Sequence, residues 1–238
     1  MKAVVGEIRE INRYPVKSMA GERLQACTVE SYGLYGDRFC AFYVPAKTGW
    51  KSFITARTLP ELLSYKAQLI GGQVRVLTPD GKDLGWDDDL LRELQRLTPK
   101  RISMKSYGAP HPEAPELMSV DSASILIVTD RTLQQLEALW GKRLDPRRFR
   151  ANLVVALDQD AMSEGDWIGK RLAVGSAELQ VDTYCERCVM ITVDPDTLER
   201  DASLLRIVNE KMDLTFGVYA SVKKTGDIQA GDQVILVD

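Results

Sequence analysis

The sequence predicts a mainly β protein built of barrels or curled sheets with a few helices, and three observations predict it. Strand-length apolar segments recur along the whole chain, separated by turns marked with glycine and proline. Helical spacing is confined to three segments, at 86–97, 130–144 and 201–212. No apolar run approaches the length of a membrane span, the longest being SILIVT from Ser124 and NLVVAL from Asn152. Many short strands with few helices are the pattern of sheets that curl or close on themselves, with helices filling the gaps.

The elements follow in order. Residues 3–15 read as an opening strand ended by Pro15, and 22–30 and 37–44 as further strands around a turn at Gly33 to Gly36. KAQLI and QVRVL flank Gly71-Gly72, a two-residue hairpin turn. Gly81 marks another turn, and the helix from Trp86 carries acidic residues in its first turn, where they complement the dipole. Residues 107–116, YGAPHPEAPE, hold three prolines and form the expected linker, dividing the chain into units at 1–110 and 111–238. SILIVT then leads into a helix with Thr129 or Asp130 as its cap, Gly141 at its end, and Leu133, Leu136, Leu139 and Trp140 as a core-facing stripe. Segments at 152–157, 170–175, 177–184, 189–194, 216–223 and 233–238 complete the strands. The helix from Asp201 falls among them.

Composition narrows the chemistry. A formal net charge of −3 offers no global positive field for nucleic acid. No basic-then-apolar N-terminal segment reads as a signal peptide, so a cytoplasmic protein without membrane attachment is expected. The one histidine, His111, lies in the proline-rich stretch, which disfavours a serine–histidine triad or a histidine-rich zinc site. Four cysteines without a secretory signal read as free thiols, redox groups or metal ligands.

Cys185 and Cys188 frame the motif CERC. A zinc site needs a second pair, and Cys27 and Cys40 lack that spacing. A thioredoxin-type dithiol would open a helix, whereas the following VMITVD has a strand pattern. A single thiolate for a soft metal, with Arg187 favouring its anionic form, stays open beside two merely buried cysteines. Lys17 and Ser18 of YPVKS can cup a phosphate, while GDRF sets Arg38 at the start of a strand and ITAR sets Arg57 in similar fashion. Arg147, Arg148 and Arg150 form a cationic cluster, and RRFRANLVV carries Arg150 and Asn152 into a buried strand, where a cation needs an acidic side chain or a bound phosphate as partner.

YPVKS, GDRF, ITAR, SVDSASILIVT, RRFRANLVV, CERCVMITVDPDT and FGVYASV with GDIQAGDQV occur in one order over nearly the whole chain. That combination resembles the MOSC family with its N-terminal companion β-barrel domain, and is similar to the mitochondrial amidoxime-reducing components and bacterial reductases of N-hydroxylated bases. The resemblance implies a β-barrel MOSC fold with a few helices, as two closely packed barrel-like domains. It implies molybdenum cofactor binding, with Cys188 as the metal ligand. Lys17, Ser18, Arg38, Arg150 and Asn152 correspond to the family's cofactor-binding positions, and Asp121, Ser122 and Ala123 to its metal-site segment. Three positions depart from the family pattern: Ala151 stands for a proline, Ala123 for a serine and Ser122 for a threonine.

The expected activity is reduction of small N-hydroxylated or N-oxide molecules, converting N–OH to N–H and water with two electrons and two protons, with Asp121 as proton relay. Neither an iron–sulfur cysteine set nor a G-x-G-x-x-G fingerprint is present, and the chain ends at Asp238 without a ferredoxin domain, so a separate electron-transfer protein is expected. The alternative is a non-catalytic carrier of cofactor or sulfur using a Cys188 persulfide. No lysine context argues for a pyridoxal phosphate Schiff base.

Overall fold

The computed structural model describes residues 2–106, 108, 117–120 and 122–237. The first strand, β1 (Lys2–Arg13), breaks register with its neighbours at Val4/Gly6 and Ile8/Glu10. Each bulge shifts the side-chain period by one, so Val5, Ile8 and Ile11, three apart, all become buried. The expected strand at 22–30 divides into β2 (Glu22–Leu24) and β3 (Ala26–Glu30), followed by β4 (Gly33–Leu34) and β5 (Ala41–Tyr43). Arg38 therefore does not start a strand: it lies in the turn before β5, with a left-handed φ of 51°.

β6 (Lys66–Ile70) and β7 (Gln73–Leu77) form the expected hairpin. Gly71 and Gly72 both take positive φ (57° and 79°), which a two-residue turn of this twist requires. β8 (Asp83–Gly85) precedes α1 (Asp88–Gln95), whose first turn is capped by the Asp87 carboxylate accepting from the Asp89 and Leu90 N–H groups. β9 (Ser103–Lys105) pairs with β5. The linker expected at 107–116 lies outside the described residues apart from Gly108.

β10 (Ile125–Thr129) runs into α2 (Asp130–Trp140), capped by Thr129 and ended by Gly141 at φ 70°. The apolar stripe of α2 is shallower than its spacing suggests: Leu136 is fully buried, but Leu139 is 41% exposed because only one edge of the helix meets the sheet and α3. Then come β11 (Leu153–Leu157), β12 (Arg171–Val174), β13 (Ala177–Glu186), α3 (Ala202–Met212), β14 (Thr215–Lys224), β15 (Gly226–Gln229) and β16 (Gln233–Val237). The strand expected at 189–194 is instead a 3-10 turn, Val189–Thr192. Its alternating side chains mimic a strand. Two backbone bonds, Ile191 N–H to the Cys188 carbonyl and Val193 N–H to the Met190 carbonyl, close the turn instead.

Seven strands close a barrel in the order β11-β10-β14-β13-β12-β16-β1, the last pairing back onto β11, with β2 added at the edge of β1. Only β10 and β11 are parallel within it. The barrel unites the first strand of the chain with strands from 125 onward. Its interior is filled by Ile8, Ile11, Ile125, Ile127, Leu153, Val155, Trp167 and Val218. The other side of β10 buries Leu126 and Val128 against α2, α3, Phe149 and Phe216. Both sides being covered explains why SILIVT reads as an unbroken apolar run. A further core of Val16, Met19, Phe42, Leu62, Val76 and Leu94 belongs to the N-terminal strands and α1. The main cleft opens between this core and the barrel.

Candidate cofactor site

The cleft has a cavity volume of about 150 Å³ and opens to solvent, and its walls come from residues 17–18, 38, 57, 120, 122–123, 126, 148–150, 152, 185–188, 190–191 and 219. Of the residues expected from sequence, Lys17, Ser18, Arg38, Ser122, Arg150, Asn152 and Cys188 all line it, drawn from both halves of the chain. Asp121 lies outside the described residues; its neighbours Val120 and Ser122 are part of the wall.

Three of the lining residues hold left-handed backbone: Ser18 (φ 69°), Arg38 (φ 51°) and Arg150 (φ 56°). For a residue with a Cβ this conformation costs about 1 kcal/mol or more. Backbone hydrogen bonds hold two of the three. Arg38 N–H donates to the Tyr14 carbonyl at 2.8 Å, and Arg150 N–H to the Arg147 carbonyl at 3.1 Å. Strained positions concentrated at one cleft mark it as a site rather than a packing seam.

Cations dominate the walls among the described residues: Lys17, Arg38, Arg57, Arg148, Arg150 and Arg187, against one carboxylate, Glu186. Every one of the six lies on an aromatic ring. Lys17 and Arg57 are over Trp50 (5.4 and 4.8 Å), Arg38 and Arg150 over Tyr14 (4.7 and 4.2 Å). Arg148 is over Trp140 (5.8 Å) and Arg187 over Phe149 (5.2 Å). Ring faces attract such cations and restrict them without consuming their charge. Lys17 also donates to the Ser119 carbonyl at 3.0 Å and is buried. Arg38 is paired with the buried Asp37 carboxylate, and Arg148 with Asp194 at 2.7 Å. Backbone N–H groups of Thr197 and Asp196, with the Arg148 cation, hold the Asp194 carboxyl below the usual carboxylate range.

The two cysteines of the motif have different surroundings. Cys185, at the end of β13, is buried, and its sulfur accepts from the Arg187 guanidinium at 2.7 Å. Cys188 is half-buried and precedes the 3-10 turn, with its sulfur accepting from Arg57 Nε at 3.4 Å. Cys27 and Cys40 are buried elsewhere, Cys27 in the barrel core and Cys40 in the N-terminal one. Among the described residues no three His, Cys, Asp or Glu side chains converge to hold a metal ion. Three sulfurs line the cleft, those of Cys185, Cys188 and Met190, and of the two thiols Cys188 is the more exposed.

Asn152 is wholly buried, and its amide bridges strands: Oδ1 accepts from Leu126 N–H at 3.1 Å and Nδ2 donates to the Asn12 carbonyl at 3.2 Å. Its neighbour Arg150 reaches the opposite way, to the Met19 carbonyl. The aromatic supports Tyr14, Trp50, Phe149 and Trp140 could not be recognised from sequence, because nothing in local spacing pairs residue 50 with residue 57 or residue 14 with residue 150. Arg57, Arg148 and Arg187 were visible as cations, and only the fold brings them together.

A soft thiol in a cation-lined cleft suits an anionic ligand that carries a thiophilic metal. The residues present fit such a group: Arg148 and Arg187 each also hold a buried Nε with no hydrogen-bond partner among the described atoms.

Comparison with known proteins gives the kinship. The model of the MOSC domain matches residues 114–235, and that of the MOSC N-terminal β-barrel domain matches residues 5–111. The chain is 28% identical over 285 residues to mitochondrial amidoxime reducing component 2 of Macaca fascicularis, covering 97% of this chain and 83% of that protein. It is 30% identical over 280 residues to mitochondrial amidoxime-reducing component 1 of Danio rerio, covering 97% and 84%. A molybdenum cofactor sulfurase of Drosophila ananassae matches at 30% over 129 residues, 51% of this chain and 16% of that one. No helix among the described residues is long and apolar enough to cross a membrane. The closed barrel, the cleft beside it and these matches together place the chain: it belongs to the MOSC-domain family.

Proposed function

We propose that this chain binds the molybdenum cofactor through Cys188 and reduces small N-hydroxylated or N-oxide molecules with electrons from a separate redox protein. One observation carries the reading: the half-buried Cys188 thiol lines a cleft whose described walls hold six cations and one carboxylate. The names of the amidoxime-reducing relatives support the reaction class.

In this reading Lys17, Ser18, Arg38 and Arg150 hold the phosphorylated end of the cofactor, Ser122 offers a hydroxyl beside it, and Asn152 fixes the strand from which Arg150 emerges. Arg57 orients the Cys188 sulfur. The cofactor, when bound, supplies the two-electron chemistry that the side chains cannot. The chain's own part is to position and to exclude water: Val120, Leu126, Met190 and Ile191 form an apolar wall that favours an uncharged substrate face. Asp121, next to Ser122, is assigned the proton delivered to the departing hydroxyl oxygen.

The test is the molybdenum and pterin content of protein from a molybdate-fed, cofactor-competent host, followed by N-hydroxylated substrates with added reductases. Near-stoichiometric molybdenum that falls in Cys188→Ala, with turnover only when a reductase is supplied, is the expected result. A wild-type chain free of molybdenum from that host would overturn the reading, as would turnover with NADH alone for the separate partner.

A further inference from the structure

Tyr14 is tied to both arginines of the cleft that have left-handed backbone. Its N–H donates to Asp37 Oδ1 at 2.7 Å, and its carbonyl accepts from Arg38 N–H at 2.8 Å. Asp37 in turn accepts from the Arg38 guanidinium, which lies 4.7 Å from the Tyr14 ring centre. On the other side the Tyr14 hydroxyl donates to the carbonyl of Ala151 at 3.4 Å, beside Arg150, whose guanidinium lies 4.2 Å from the same ring. One buried side chain therefore links a turn at residue 38 to a loop at residue 150, and seats a guanidinium from each.

Two guanidinium groups on one ring repel each other, and in water they would separate. The ring attracts both, and the Asp37 carboxylate pairs with Arg38. Both cations are thereby held with limited freedom before any ligand arrives. Binding an anion there costs little ordering, which is the meaning of preorganisation. The phenol itself stays neutral: burial pushes it above its ordinary range, against the opposing Arg150 and Arg38 cations.

We propose that Tyr14 is a positioning residue that holds Arg38 and Arg150 on its ring as one preformed grip for a phosphate-ester anion. The identification of that anion as the phosphorylated end of the cofactor rests on the reading above, but the grip can be tested without it.

The experiment measures binding of inorganic pyrophosphate to the cofactor-free chain by calorimetry, for wild type, Tyr14→Phe and Tyr14→Met, with Arg38→Gln in both the wild-type and Tyr14→Met backgrounds. Tyr14→Phe should bind within about twofold of wild type, and Tyr14→Met about tenfold more weakly, since a ring face contributes of order one such factor per desolvated cation. Arg38→Gln should cost less in the Tyr14→Met background than alone, because the two changes remove one unit. Wild type that ignores pyrophosphate, Tyr14→Met that binds it as wild type does, or Tyr14→Phe falling as far as Tyr14→Met would each overturn the proposal. A measurement on the wild-type chain covers the case in which Tyr14→Met does not fold. The Nε–H proton resonances of Arg38 and Arg150 should be shifted upfield by the ring and remain so when pyrophosphate is added; unshifted resonances would overturn it. Failure of the cofactor reading shows separately, as absent molybdenum in a wild-type chain that still binds pyrophosphate.

Discussion

The Arg187 guanidinium stands 2.7 Å from the Cys185 sulfur and donates its other nitrogen to the Phe149 carbonyl at 2.9 Å, so it braces the end of β13 against the loop that carries Arg150. On the proposed reading the motif's two cysteines divide their work. Cys185→Ala leaves a buried arginine short of an acceptor and opens a small cavity, and should cost about 1–3 kcal/mol in denaturant unfolding while molybdenum remains bound. Cys188→Ala should do the reverse, removing molybdenum with stability changed by less than about 0.5 kcal/mol in the cofactor-free chain. Equal effects of the two on metal content would dismiss the division.

Arg57 connects the N-terminal half of the chain to the thiol, between the Trp50 ring and the Cys188 sulfur. Arg57→Gln should lower retained molybdenum during dialysis several-fold, and Arg57→Lys should restore part of it. A lysine keeps the charge and loses the planar fork that can lie on a ring and donate sideways at once. Retention by Arg57→Gln equal to wild type, measured by metal analysis, would show that the contact with Cys188 has no consequence.

Much of this was legible in the sequence. The hairpin at Gly71-Gly72, the caps at Thr129 and Gly141 and the continuous apolar run of β10 follow local rules, and local rules survive folding. Eight described residues carried over by family resemblance, Ala123 among them, line one cleft. What was not legible depends on long-range contact. VMITVD alternates like a strand and folds as a turn, closed by backbone bonds from Ile191 N–H to the Cys188 carbonyl and from Val193 N–H to the Met190 carbonyl. Leu139 has core spacing and stays exposed, because spacing reports a helix face and not how deeply the helix is covered. The aromatic seats of the cations are the extreme case: Tyr14 and Arg150 are 136 positions apart, and no periodicity relates them.

Barrel closure has its own weak point at Gly6. An added Cβ there would stand 2.1 Å from the Ala156 carbonyl oxygen across the β1–β11 pairing, at a φ of 155° that coincides with a bulge. Both partners are backbone and neither can rotate away. Gly6→Ala should therefore destabilise the chain by about 2–4 kcal/mol, with the denaturant midpoint moving and the slope unchanged. A loss below about 0.5 kcal/mol would mean that the two strands separate at that point without cost.

Cys27 supplies a pH dependence whose sign is fixed by burial. Its sulfur lies in the barrel core, and desolvation pushes the thiol from an ordinary 9.0 up to about 11, with the nearby Arg13 cation opposing. Folding thus favours the protonated form. The contribution is fully present below the unfolded value, begins to fall as pH rises past 9.0, and is lost by the time pH passes about 11, where the folded thiol itself ionises. Between these limits the unfolded chain gains a thiolate that the barrel refuses, so unfolding becomes easier with each step upward in pH. Cys27→Ala removes the group, and its melting temperature should decline less steeply than that of the wild type from pH 9 to 11, the window set by the two values. Thiol labelling gives a second check: in the folded chain at pH 8, Cys188 should react with an alkylating agent while Cys27 stays unlabelled until denaturant is added. Parallel melting curves across the window, or early labelling of Cys27, would show that the barrel interior admits the thiolate or the solvent that carries it.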